Sequence, residues 1–147
     1  MKCVRRPIRN SRIKPESAEF AVVELGTGCL VGFGGLYDVT RSLVATMFVG
    51  IGKATRRRKG FGTEASPLIC EYGFFFHNLH SIKVEVHAYN AAAMRVYERL
   101  GFKTIGRLRG ANLLNSRRYD EIIMDLLRNE FELKHVARFR ALENGED

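Results

Sequence analysis

The stretch Arg57-Arg58-Lys59-Gly60-Phe61-Gly62-Thr63 follows closely on Gly50-Ile51-Gly52 and opens a phenylalanine-rich segment of helical spacing. A glycine-rich turn between a strand and a helix N-terminus gathers unpaired backbone N–H groups into one concavity, and the positive end of the helix dipole adds to them. Such a turn can hold a pyrophosphate. Its glycines let the ligand approach the backbone, and Arg57, Arg58 and Lys59 supply mobile positive charge. The pattern is not a P-loop, since no Gly-Lys-Ser/Thr follows, and it is not the dinucleotide G-x-G-x-x-G. A basic, solvated loop is the other reading of the same residues.

Charge and composition agree with an anionic ligand. The 147 residues carry 24 Lys and Arg against 16 Asp and Glu, a net charge of +8, which suits nucleic acid, a membrane surface or a phosphorylated cofactor. Apolar residues at 46% and charged residues at 27% are ordinary for a soluble globular protein. The length fits one domain able to bury its own core. No apolar run approaches the roughly 18 residues that would span a bilayer, so no membrane partner is expected. Cys3, Cys29 and Cys70 are odd in number, without CxxC spacing or a His partner at ligand spacing, and no metal is expected. Cys29 and Cys70 sit in apolar stretches and read as buried free thiols. No apolar segment follows the basic N-terminus as in a secretory signal, so the expected compartment is the reducing cytoplasm.

Several elements must position the turn. Residues 1–17 read as a basic N-terminal arm, in which Pro7 and Pro15 discourage a helix; residues 18–147 read as a single domain. Phe20 to Leu25, Cys29 to Val39 and Leu43 to Gly52 read as three strands with short, antiparallel connections. Gly32, Gly34 and Gly35 allow a bulge or a close backbone approach in the second. Ala65, Leu68, Ile69, Tyr72, Phe75 and Phe76 recur at helical spacing. Pro67 should kink that helix, or mark its start at Ser66-Pro67. Ser81 to Val86 alternates as a half-buried strand, placing Glu85 and His87 on one face. Asn90 can cap a helix through Leu100, with Ala93, Met94, Tyr97 and Leu100 on one side and Gly101 as its stop. Phe102 to Arg109 and Tyr119 to Leu127 close the sheet, joined by a loop containing Asn115-Ser116. An amphipathic helix is expected over Arg128 to Leu142. Strand–helix–strand in the middle requires a parallel pair inside an otherwise antiparallel sheet, so the fold class is mixed α/β (α+β).

Asn90-Ala91-Ala92-Ala93-Met94-Arg95-Val96-Tyr97-Glu98-Arg99-Leu100-Gly101-Phe102 resembles the N-x-x-A-x-x-x-Y-x-x-x-G-F signature of the GNAT superfamily of N-acetyltransferases. The R-x-x-G-x-G turn at Arg57 to Gly62 resembles that superfamily's acetyl-CoA pyrophosphate loop, in the same order along the chain. The closing stretch, Asn115-Ser116-Arg117-Arg118-Tyr119-Asp120 through Met124, Leu127 and Glu130, is similar to the branch containing spermidine and ribosomal-protein N-terminal acetyltransferases. Together the resemblance covers about Phe20 to Phe131.

The resemblance implies a GNAT-like central sheet with one splayed parallel strand pair and helices on both faces. Acetyl-CoA would be the cosubstrate and a primary amine the acceptor, reacting by direct attack in a ternary complex. The strand around Phe48 to Gly52 would splay from the strand ending at His87 and admit the thioester. Val49, Gly50 and Ile51 would pair with the pantetheine amides and polarise the thioester carbonyl, an electrostatic role of the kind that stabilises a tetrahedral intermediate. Arg57, Arg58, Lys59, Gly60, Phe61, Gly62 and Thr63 would hold the pyrophosphate. Asn90 and Ala93 would contact the pantetheine arm, and Tyr97 would protonate the departing thiolate. As bases for the amine, Glu85 and His87 are the candidates; the strand Leu43 to Gly52 contains no acid.

Members of the superfamily carry a strand and one or two helices before the strand placed here at Phe20, where this chain has a short basic segment. A sheet without its first strand would leave a bare edge, which proteins cover or pair; a dimer or larger homo-oligomer is therefore expected. Two other functions fit parts of the sequence. One is a catalytically degenerate CoA-binding protein. The other is a basic nucleic-acid-binding module using Met1 to Lys14 and Arg56 to Lys59, although Phe74 to Phe76 suit a helix core better than a stacking platform.

Overall fold

The Val- and Phe-rich segments after residue 17 do form strands, and a further strand precedes them. The computed structural model describes residues 3–7, 17–52, 57 and 59–132. Its elements are β1 (Cys3–Pro7), β2 (Ala18–Glu24), β3 (Leu30–Tyr37), β4 (Val44–Ile51), α1 (Phe61–Phe76), β5 (Ser81–His87), α2 (Ala91–Leu100), β6 (Lys103–Leu114) and β7 (Arg117–Leu127). One sheet runs in the order β1-β2-β3-β4-β5-β7-β6. All neighbours are antiparallel except β4 and β5, which are parallel.

β1 was not expected. It occupies part of the segment read as a basic arm and pairs with β2 from Cys3↔Glu24 to Pro7↔Phe20, in an irregular register. Pro7 has no N–H for a ladder, and it sits at the end of an edge strand, where that lack is tolerated. The edge of β2 expected to be bare is therefore paired. Residues 1–2 and 8–16 lie outside the described residues.

Helices were expected on both faces; both described helices lie on one. Ile69 and Phe74 of α1 and Tyr97 of α2 share a single core cluster with Ile82, Val84 and Val86 of β5 and with Ile122, Met124 and Leu126 of β7. These strand residues are register partners on one face of the sheet. The cause is topological. The β4–α1–β5 and β5–α2–β6 crossovers advance in the same direction along the sheet, and right-handed crossovers advancing the same way cover the same face.

α1 starts at Phe61, ahead of Ser66-Pro67, and runs unbroken to Phe76 with Pro67 inside it. Pro67 has no N–H to offer the carbonyl of Thr63, while the Ser66 hydroxyl donates to the Gly62 carbonyl at 2.7 Å. α2 begins and ends as expected. The Asn90 side chain accepts from the Ala93 N–H at 3.1 Å, and the Gly101 N–H closes the last turn onto the Glu98 carbonyl at 3.0 Å.

The glycines of β3 serve close approach. A Cβ at Gly32 would stand 2.1 Å from the Gly50 carbonyl oxygen, and the ladder to β2 shifts register beside it, between Val22 and Val23. Both allowances expected for this strand, a bulge and a close contact, are realised there. β6 and β7 run longer than expected and meet at Asn115 and Ser116, whose φ angles are 50° and 62°. Two consecutive left-handed residues make the tight turn whose twist matches the flanking strands.

Cys70 is buried, but Cys29 is exposed. It follows the turn before β3, where its N–H donates to Thr27 Oγ1, and the strand's inward face starts only at Val31. Of the helix expected over Arg128 to Leu142, a 3₁₀ turn at Arg128–Glu130 is present, and residues 133–147 lie outside the described residues. Among the described residues, no helix is long and apolar enough to cross a membrane.

Candidate active site

β4 and β5 pair only as far as they run together. Their ladder comprises Val44↔Ser81, Ala45↔Ile82 and Thr46↔Lys83. Beyond Thr46, β4 stays bonded to β3 as far as Ile51, and β5 stays bonded to β7 as far as His87. The two strands therefore present facing edges that do not pair with each other. A cavity of about 230 Å³ lies in this gap, lined by Tyr37, Met47, Phe48, Val49, Glu85, Val86, His87, Asn90, Ala93, Tyr97 and Glu121.

The gap passes through the sheet, and the alternation of each strand decides which side chains reach which mouth. Met47 and Val86 are buried on the helix side, with Ala93 and Tyr97 of α2 beside them. Phe48, Glu85 and His87 point the other way and are exposed. The helix-side mouth is thus mostly apolar, and the outer mouth is rich in titratable groups.

Tyr97 is 8% exposed, packed against the core and the Phe102 ring. Burial, with a smaller contribution from Cys70, pushes its pKa up to about 12. It therefore holds its proton throughout the ordinary pH range, as a general acid must. Asn90 spends its Oδ1 on the helix cap, which leaves its amide N–H groups to donate into the cavity.

At the outer mouth, Glu85 accepts from Lys83 Nζ at 2.9 Å. The His87 ring stacks on Tyr89, 5.2 Å between centroids. Glu121 is the Cα partner of His87 across the ladder, and Asn112 Nδ2 donates to its Oε2 at 3.1 Å. Tyr37 completes the mouth, its ring 6.0 Å from that of Phe48. Burial and the carboxylates of Glu85, Asp38 and Glu121 raise the Tyr37 pKa above its ordinary value, against a lowering by Lys83.

The glycine turn follows the C-terminal, splayed end of β4. Gly60 is the N-cap of α1, left-handed at φ 83°, a conformation that costs most residues energy and glycine almost none. The Glu64 N–H closes the first helical turn onto the Gly60 carbonyl. This leaves the N–H groups of Phe61, Gly62 and Thr63 without helical partners. A Cβ at Gly60 or Gly62 would meet nothing within 4 Å, so open space adjoins these donors. Arg57 Nε donates to the Ile51 carbonyl at 3.2 Å, tying the turn to the end of β4. The donor set and the space fit a pyrophosphate. Arg58 lies outside the described residues.

Of the residues singled out from the sequence, Val49, Glu85, His87, Asn90, Ala93 and Tyr97 meet in one cavity. Gly60 to Thr63 form the separate helix N-terminus expected of them. Tyr37 and Glu121 were missed. Glu121 carries a signal in hindsight, since Tyr119 to Leu127 alternates and puts it opposite the apolar face of its strand.

A splayed parallel pair, a glycine-turned helix start beside it and a buried tyrosine in the gap define an acyl-CoA-binding fold of the acetyltransferase type. The chain belongs to the GNAT acetyltransferase family: residues 4–103 match the family's acetyltransferase (GNAT) domain. It is 31% identical over 121 residues to a probable N-acetyltransferase of Bacillus subtilis, YjcK, an alignment covering 81% of this chain and 66% of that protein. It is 30% identical over 77 residues to the spermidine N(1)-acetyltransferase of Escherichia coli, covering 52% of this chain and 41% of that protein. The crystal structure of spermidine N-acetyltransferase from Vibrio cholerae in complex with CoA and spermine superposes with a TM-score of 0.73 at 26% identity, over 79% of this chain and 68% of the other. The chain thus spans between two fifths and two thirds of the length of these two curated relatives.

Proposed function

We propose that this protein transfers the acetyl group of acetyl-CoA to a primary amine by direct attack in a ternary complex. The observation that carries the reading is the gap between β4 and β5, with a protonated tyrosine on its helix side and carboxylates and a histidine at its outer mouth. The relatives' names support amine acetylation over nucleic-acid binding.

In this reading, the turn at Gly60 to Thr63 binds the pyrophosphate, with Lys59 and Arg57 adding charge. The unpaired edge of β4 at Val49 to Ile51 and the Asn90 amide orient the pantetheine arm and polarise the thioester carbonyl. The acceptor enters from the outer mouth as an ammonium ion and loses a proton to Glu85 or His87, directly or through water. Its nitrogen then bonds to the carbonyl carbon, and the carbon–sulfur bond breaks. Tyr97 gives its hydroxyl proton to the departing thiolate, and the proton shed by the new amide nitrogen restores it. The base's proton goes to solvent.

Calorimetric titration with acetyl-CoA, followed by an amine screen read by free-thiol release, tests the reading. Binding with turnover is expected. Replacing Glu85 and His87 together by Gln and Ala should lower kcat by about 10²–10⁴ at unchanged acetyl-CoA affinity. No binding of acetyl-CoA would overturn the reading. Binding without turnover on any amine would make the chain a CoA-binding protein without catalysis.

Self-association is a further part of the proposal. With β1 covering the β2 edge, the exposed apolar side chains of the opposite edge strand β6, Ile105, Leu108, Leu113 and Leu114, are the surface that a second copy would cover. Sedimentation showing a monomer at high concentration would remove it.

A further inference from the structure

The outer mouth of the gap does not end at its carboxylates. Phe48 lines the cavity and also lines a trough of about 430 Å³ on the same outer face. The trough continues over Phe33, Leu30, Gly50 and Ile51. Phe33 and Gly50 are register partners, and the missing side chain at Gly50 leaves a lane beside the Phe33 ring. Leu30 and Phe33 are 49% and 47% exposed. On a chain of net charge +8, a bare apolar trough beginning at a carboxylate-lined mouth is a specific arrangement.

We infer that the acceptor is a primary amine bearing an apolar alkyl or aralkyl substituent, its ammonium head at Glu85 and Glu121 and its substituent laid over Phe48, Phe33 and Leu30. This rests on the acetyl-transfer reading above and specifies its substrate class. The geometry leaves the substituent two directions out of the mouth. Toward β5 and β7 it meets the polar Lys83, Glu85, His87 and Glu121, with Ile123 the register partner of Glu85 and the Tyr89 ring stacked on His87. Toward β3 and β4 it meets Phe48 and then the trough. None of the described residues lining the trough is charged, so a second positive charge at the far end of the substituent would lie on carbon, which is costly. The trough therefore favours monoamines over diamines of the same reach.

The test compares ethylamine, butylamine and hexylamine with 1,6-diaminohexane, each titrated into the CoA-saturated protein and each assayed with acetyl-CoA. Affinity and kcat/KM should rise two- to fourfold per methylene, as expected for burial of methylene groups. Hexylamine should exceed 1,6-diaminohexane by at least tenfold, and Phe33→Ser or Leu30→Ser should flatten the series. An arm with leucine amide beside isoamylamine reports whether the apolar group can be an amino-acid side chain; a rise for either over ethylamine supports the inference. Acetyl-CoA binding with a flat series, or with the diamine preferred, overturns this inference and leaves the acetyl-transfer reading standing. No acetyl-CoA binding overturns both. If Phe33→Ser abolishes self-association and leaves the amine series unchanged, the trough belongs to a second copy of the chain and the inference fails.

Discussion

Glu121 stands directly opposite His87 across the antiparallel β5–β7 ladder, held there by a 3.1 Å hydrogen bond from Asn112 Nδ2. The pair places a fixed negative charge beside a candidate base at the mouth through which a cationic acceptor would enter. The relationship joins two strands separated by α2 and β6, and a cationic acceptor at this mouth would be attracted by Glu121.

Glu121→Gln tests that role. Glutamine's amide oxygen keeps the hydrogen bond from Asn112 and removes only the charge. Two unit charges about 4 Å apart in water attract by roughly 1 kcal/mol, so KM for a cationic acceptor should rise about fivefold. Acetyl-CoA affinity should not change. Steady-state kinetics at low ionic strength would show the effect, and added salt should shrink it. An unchanged KM would leave Glu121 with no part in acceptor binding.

Gly62→Val addresses the pyrophosphate turn. Gly62 lies in the first turn of α1 without a left-handed φ, and a Cβ there meets nothing within 4 Å, so the fold should tolerate valine. The new side chain would occupy the space beside the free amides. Acetyl-CoA affinity should fall at least tenfold, about 1.4 kcal/mol, with little change in Tm. Gly60 is a poorer probe, because its φ of +83° makes any side chain a strain on the turn itself. Wild-type affinity in folded Gly62→Val would place the pyrophosphate elsewhere.

The part of the site that local sequence encodes was legible; the part that pairing encodes was not. Asn90 and Tyr97 lie on one short helix, so cap, spacing and burial could all be read along the chain. Glu85 and His87 share a face by simple alternation. Glu121 also alternates, but its place opposite His87 depends on the register of β7 against β5, which no local signal fixes. Tyr37 was missed for the same reason: it ends β3, and only the order β3-β4-β5 brings it to the gap. β1 was hidden by its two flanking features, a run of basic residues and Pro7, which suit an edge strand as well as an arm.

Alkaline titration provides a test of Tyr97's burial that needs no substrate. Its pKa of about 12 in the folded protein exceeds the ordinary tyrosine value of about 10. Above pH 10 the unfolded chain ionises this tyrosine while the folded protein keeps it neutral, so the unfolded state binds fewer protons and stability falls as pH rises. The contribution is fully present below pH 10 and is lost between pH 10 and 12. Tyr97→Phe removes this ionisation, so denaturant unfolding of the variant should lose less stability than wild type between pH 9 and 11.5. Parallel losses would mean that Tyr97 titrates as an exposed residue.

The same substitution tests the proposed catalytic role of Tyr97 apart from its packing. Phenylalanine keeps the ring against Phe102 and the core and removes only the hydroxyl. Acetyl-CoA affinity should therefore stay close to wild type while kcat falls. General acid catalysis typically supplies about 10²–10⁴-fold, and a loss in that range is expected where departure of the thiolate limits the rate. The pH profile adds a second signature. With a hydroxyl that stays protonated to about pH 12, wild-type turnover should show no fall from Tyr97 ionising below pH 11, so a basic limb there must come from another group and persist in the variant. Unchanged kcat in Tyr97→Phe, measured beside unchanged acetyl-CoA binding, would reduce Tyr97 to a core residue and leave the thiolate to depart without a proton from this side chain.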